Sequence, residues 1–116
     1  MLGQWGEKRC ERFLKRKGLK VLARNVLCRT GEIDLVMADT DGTLVFIEVK
    51  TRANEDFSPS ESAVTSAKRT RMLRAARYFL ATHHIEDRPF RFDVVTIVLG
   101  QKRPAQIRHY ENAFVS

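Results

Sequence analysis

The segment from Gly31 to Lys50 constrains the fold of this chain more than any other. It reads Gly31-Glu32-Ile33-Asp34-Leu35-Val36, then Asp41-Gly42, then Val45-Phe46-Ile47-Glu48-Val49-Lys50. Two apolar, β-branched runs around a polar turn specify a β-hairpin. With Thr40-Asp41-Gly42 as a three-residue loop and Gly42 left-handed, Asp39 faces Thr43. Counting inward, Asp34 falls opposite Glu48. Cβ atoms so placed are roughly 5 Å apart, and like charges there are destabilising. A hard divalent cation held by both carboxylates relieves the repulsion. Lys50, two residues beyond Glu48, emerges on the same face. Two carboxylates and an ammonium on one patch of sheet suit metal-dependent hydrolysis.

Charge is distributed unevenly around that patch. Residues 1–30 hold nine Lys/Arg against two acids, residues 31–67 two against eight, and residues 68–116 ten against four. An acidic island between basic flanks fits an enzyme that acts on a polyanion, its carboxylates taking a cation and its flanks taking phosphates. At 116 residues the chain suits a single domain spanning 1–116. No apolar run reaches membrane-span length, and the start turns charged at once, so no membrane partner and a cytoplasmic location are expected. Cys10 and Cys28 form no CxxC pair and have no histidine nearby, which argues against zinc and for two small, partly buried thiols.

Helical periodicity runs from about Trp5 to Lys17, with Gly6, Cys10, Phe13, Leu14 and Lys17 on one face and Gly18 as the stop. Lys20–Leu27 reads as a strand ahead of the hairpin. Residues 53–60 read as a loop, and Ser60 or Ser62 offers a cap for a long helix ending near Thr82. Arg91–Leu99 reads as a central strand, and Ile107–Tyr110 as a short edge strand. The order αβββαβ(β) implies an α/β sandwich: a mixed central sheet with helices on both faces.

On the second helix the apolar stripe contains Met72, Ala75, Ala76, Phe79 and Leu80, and Lys68 projects inside it. A lysine there either snorkels past the helix end or reaches a polar pocket, to touch substrate phosphate or pair with a carboxylate. Arg71, Arg74 and Arg77 lie on the exposed half, as a solvated face or a phosphate track. Lys68, Arg71, Arg74 and Arg52 are the candidate nucleic-acid contacts. Asp93, in an apolar strand, requires a partner: Lys68, an arginine or backbone donors. Glu32 is expected on the opposite face of its strand from Asp34, structural or substrate-positioning. His83 and His84 suit a helix end, and His109 reads as isolated. Trp5 reads as a core residue, with base stacking as the alternative.

Asp34 followed after a hairpin by Glu48-Val49-Lys50 resembles the core of the PD-(D/E)xK nuclease superfamily, which includes restriction endonucleases and archaeal-type Holliday junction resolvases. More narrowly, the chain resembles the YraN family of small bacterial proteins. That resemblance rests on Gly6-Glu7, Arg24-Asn25, Gly31-Glu32-Ile33-Asp34-Leu35, Phe46-Ile47-Glu48-Val49-Lys50-Thr51-Arg52, Lys68, Arg91-Phe92-Asp93-Val94 and Asn112-Ala113-Phe114. Ile33 stands where the superfamily name has proline, a position that does no chemistry. The resemblance implies a restriction-endonuclease-like αβββαβ core. It also implies hydrolysis of phosphodiesters in DNA, with branched or structured DNA as a substrate class. Asp34, Glu48 and the Val49 carbonyl would hold Mg²⁺ or Mn²⁺, Lys50 would serve the attacking water and the transition state, and Glu7 would hold metal or its water. Asp93 and Glu32 would support these groups from behind. Monomer and homodimer both stay open, junction resolvases with this core acting as dimers. Two further readings stand beside the enzyme: a non-catalytic nucleic-acid-binding module with a relict site, and a protein-interaction domain using the acidic patch.

Overall fold

A computed structural model describes residues 2–52, 65–100 and 104–114, without the side chains of residues 2 and 3. The elements are α1 (Leu2–Arg16), β1 (Lys20–Cys28), β2 (Gly31–Ala38), β3 (Leu44–Arg52), α2 (Ser66–Thr82), β4 (Phe90–Val98) and β5 (Gln106–Phe114). The strands form one sheet in the order β1-β2-β3-β4-β5. Only the β3–β4 pairing is parallel; the other three are antiparallel. The long connection through α2 is what parallel neighbours need. This is the mixed α+β sandwich expected of a restriction-endonuclease-like core.

Each face of the sheet carries one helix. Met72, Ala75, Ala76 and Phe79 of α2 pack on Ile33, Val36, Phe46, Phe92 and Val94. Cys10 and Leu14 of α1 pack on Leu35, Met37, Val45, Ile47, Val95 and Ile97. Phe46 is fully buried amid Phe79, Phe90 and Phe92, and burial of such a side chain stabilises by about 2–3 kcal/mol. Cys10 and Cys28 are free thiols, and burial, with Asp34 next in effect, raises Cys10 to about 12. Among the described residues no helix is long and apolar enough to cross a membrane.

The hairpin has the expected register. Asp39 N–H donates to the Thr43 carbonyl over 2.9 Å, and Gly42 has φ +91°, the left-handed conformation the loop requires. Arg88 Nε donates to the Gly42 carbonyl over 2.7 Å, and Arg91 reaches Asp39 over 3.0 Å, so β4 anchors the turn.

Several local expectations need correction. Thr65 caps α2, its hydroxyl accepting from Lys68 N–H; Ser60, Ser62 and the loop at 53–60 lie outside the described residues. β5 runs nine residues rather than four, because Asn112, at φ +51°, carries the strand past an irregularity between Phe92 and Val94. Trp5 is 38% exposed, with the Arg9 guanidinium over its ring at 5.6 Å, and is not core. His83 caps the end of α2 as expected and stacks on Phe79.

Candidate functional site

Asp34 stands where the alternation of faces along β2 breaks. Strict alternation would put Ile33 and Leu35 on one face, yet Ile33 packs toward α2 and Leu35 toward α1. Asn25, opposite Asp34 in the β1–β2 register, has φ +50°, a conformation a short polar side chain tolerates. The regular β2–β3 ladder ends at Leu35–Ile47. One residue further, Val49 N–H donates to the Asp34 carboxylate over 2.8 Å. A side chain replaces a backbone acceptor, the strands part, and Asp34 reaches Glu48 while also lining a groove under α1.

The two carboxyls lie side by side, close enough for each to shift the other, just beyond the last regular pair of the ladder. Glu48 is 5% exposed; burial and then the Asp34 charge push its carboxyl up to about 7. Asp34 is also raised by burial, against the lowering pull of Val49 N–H. Lys68 comes from the first turn of α2 to pair with Glu48 over 2.8 Å. That hydrogen bond, against the opposing effect of burial, raises the lysine. Of the two alternatives for Lys68, the carboxylate partner is the one present.

Gly31 lets α2 lie that close, since an added Cβ would collide with the Arg71 carbonyl oxygen. Gly6 does the same for α1 against Thr51, placing Glu7 where burial, Asp34 and Glu32 all raise its carboxyl. Lys50 is half-buried two residues beyond Glu48, in register with Thr96 of β4. Among the described residues no group of three or more His, Cys, Asp or Glu side chains forms a ready metal cage.

Glu32 and His109 differ from expectation, while Asp93 finds two of its expected kinds of partner, an arginine and a backbone donor. Glu32 does not stand away from the site: it pairs with Arg71 of α2, and its charge raises Asp34 and Glu7. Arg71 is an ion-pair partner of Glu32 at 3.1 Å, while Arg74 and Arg77 are exposed on α2 and Arg52 half-buried at the end of β3. Asp93 meets Arg91 Nε at 3.1 Å, His109 Nε2 at 2.7 Å and Asn112 N–H at 2.9 Å, and not Lys68. Burial alone would raise its carboxyl; these three donors lower it instead. His109 is therefore not isolated, and its Nδ1 lies 2.9 Å from Lys17 Nζ. The sequence signal for this network was Asp93 itself, a carboxylate in an apolar strand.

Relatives were found along most of the chain. A UPF0102 protein of Roseiflexus castenholzii is 48% identical over 100 residues, covering 85% of this chain and 80% of the relative. One from Symbiobacterium thermophilum is 42% identical over 113 residues, covering 97% and 95% respectively. One from Pelotomaculum thermopropionicum is 36% identical over 115 residues, covering 98% and 95%. Residues 6–97, which hold every side chain of the site, match the pattern of the family described as "Uncharacterised protein family UPF0102". The chain belongs to that family, the YraN family.

Proposed function

We propose that this protein is a Mg²⁺- or Mn²⁺-dependent nuclease that hydrolyses phosphodiesters in DNA. The observation that carries this reading is the side-by-side carboxyls of half-buried Asp34 and buried Glu48, the first held by Val49 N–H and the second by Lys68. The donors fit a hard cation in kind: two carboxylates, the neighbouring Val49 carbonyl, and water for the remainder. When bound, the ion supplies an acidified water and offsets charge on phosphate.

The chain's own groups do the rest. Asp34 is held in place by Val49 N–H. Lys68 restrains Glu48 and brings a positive charge to the same spot. Lys50 stabilises charge that develops on phosphate in the transition state. Glu7, with its raised carboxyl, stands ready to hold a water or its proton. Arg71 restrains Glu32 and so limits the negative charge around the pair.

A second reading has its own support. Lys68 and the raised Glu48 carboxyl already balance much of the site's charge without a cation, which suits a nucleic-acid-binding module that does no chemistry. Two measurements separate them. Calorimetry with Mn²⁺ should show a site in the wild type that Asp34→Asn/Glu48→Gln lacks; equal, weak binding by both removes the metal. Protein with Mg²⁺ or Mn²⁺ should cleave some member of a panel of branched, linear and single-stranded DNA. Binding without cleavage across the whole panel favours the module.

A further inference from the structure

The face of α1 toward the sheet edge carries Glu7, Lys8, Glu11, Arg12 and Lys15 in one stripe at helical spacing. With Gln4, Arg24, Asn25, Asp34 and Leu35 it lines a groove of about 580 Å³. The groove exists because α1 seats its apolar side over the middle of the sheet, through Gly6 on Thr51 and through Cys10 and Leu14. The β1 edge is left uncovered on that face.

Charge along the groove is graded. Glu7 and Asp34 are near enough for each carboxylate to feel the other at one end. Lys8 stands beside Glu7, and toward the C-terminal end of α1 Arg12, Lys15 and Arg24 outnumber Glu11. Glu11 is itself engaged by Arg24 at 2.9 and 2.6 Å and by Lys15 at 3.0 Å, which lowers its carboxyl to about 2. It therefore acts as a bracket that fixes Arg24 and Lys15 along the groove. Meanwhile two of the four cations read from the sequence as nucleic-acid contacts are committed to carboxylates, Lys68 to Glu48 and Arg71 to Glu32.

We propose that the α1–β1 groove is the track for one strand of a nucleic acid, whose phosphates bind Lys8 and Arg12 and whose backbone then passes Asp34. This rests on the nuclease reading and specifies its substrate path. Cations one helical turn apart, roughly 5–6 Å between Cβ atoms, suit a row of phosphates better than one small anion. The groove has the volume of a small-molecule cleft, a size that suits a single strand better than a duplex. The grade of charge brings a polyanion in at the basic end and stops it at the carboxylates, where a bound cation would receive it.

The test is fluorescence anisotropy of a short labelled oligothymidylate in EDTA, which separates binding from cleavage, over a salt series. Wild type, Lys8→Gln/Arg12→Gln and Arg74→Gln/Arg77→Gln are compared, with circular dichroism to confirm that these exposed substitutions leave the fold intact. The groove variant should lose about 1.4 from the slope of log affinity against log salt, at about 0.7 per phosphate contact, and the α2 variant should match wild type. An unchanged slope in the groove variant, with the loss in the α2 variant, overturns the track and leaves the nuclease reading standing. Tighter wild-type binding to a duplex of equal length overturns the single-strand assignment. A wild type that binds no nucleic acid withdraws the track together with the reading beneath it.

Discussion

Glu48 is an acid that the fold prefers protonated, and this has a measurable sign. Its carboxyl is raised from an ordinary 4.5 to about 7, so between those values the folded state binds more protons than the unfolded one. Stability of the metal-free protein should therefore fall as pH rises from about 5 to 8. Thermal melts across that range should show the fall, and Glu48→Gln should flatten it; a wild-type curve rising with pH would contradict the assignment. Lys50 makes a different prediction. In the proposed nuclease its ammonium would act on charge present only in the transition state, so Lys50→Ala should retain metal and DNA affinity while slowing single-turnover cleavage by about a hundredfold. Cleavage at the wild-type rate would remove that role. At this scale the sequence was informative wherever a local rule applied. The turn chemistry of Asp41-Gly42 led directly to Asp34 facing Glu48, and the helical stripe put Lys68 inward. Glu32 was misplaced because β2 breaks its alternation between Ile33 and Leu35, which no local rule announces. For Asp93 an arginine and backbone donors were legible as kinds of partner, but His109 and the particular donor Asn112 were not, because they lie 16 and 19 residues away and only the β4–β5 register brings them in.

Among elements, α2 is both a core helix and the source of Lys68 and Arg71, so its distance from β2 sets the site's charge balance. Gly31 fixes that distance by letting the backbone of α2 come into contact. Gly31→Ala would overpack this seam, and we expect a loss of about 1–3 kcal/mol, read as a lower midpoint in denaturant. The same change should move Lys68 away from Glu48 and enlarge the pH dependence of stability above pH 5. A variant as stable as wild type would mean that the seam yields freely. The existence and order of the elements followed from periodicity, whereas their ends did not. Thr65 caps α2 because its backbone is extended there, at φ −61° and ψ 158°. The left-handed Asn25 in the middle of β1 has no signal in a strand that otherwise reads as regular.

For the whole molecule, the Asp93 network ties the layers together at a place separate from the Asp34–Glu48 contacts. Through Arg91 it reaches Asp39 at the hairpin, through His109 it reaches Lys17 just past α1, and through Asn112 N–H it holds β5. Asp93→Ala leaves those donors without their buried anion, and a cost of about 3–5 kcal/mol is expected. Chemical denaturation should show this loss while calorimetry at the carboxylate site still detects the cation. Loss of metal binding in a folded Asp93→Ala protein would instead join the two networks. The pH effect here is opposite to that of Glu48. Asp93 has a lowered carboxyl, so its contribution is complete above about pH 4 and is lost as pH falls through the lowered value.

The hydrogen bond from Val49 to Asp34 gives the site its own reporter. Most amides in the sheet point at neutral carbonyls, whose acceptor strength does not vary with pH. The Val49 proton points at a group whose charge changes with every event proposed for the site. Its nuclear magnetic resonance frequency should move as the carboxyl pair gains or loses its proton and again when a cation is added, and it should stand still in Asp34→Asn. Occupancy of the centre can then be followed at one backbone position, with no substrate in hand and no knowledge of what the substrate is.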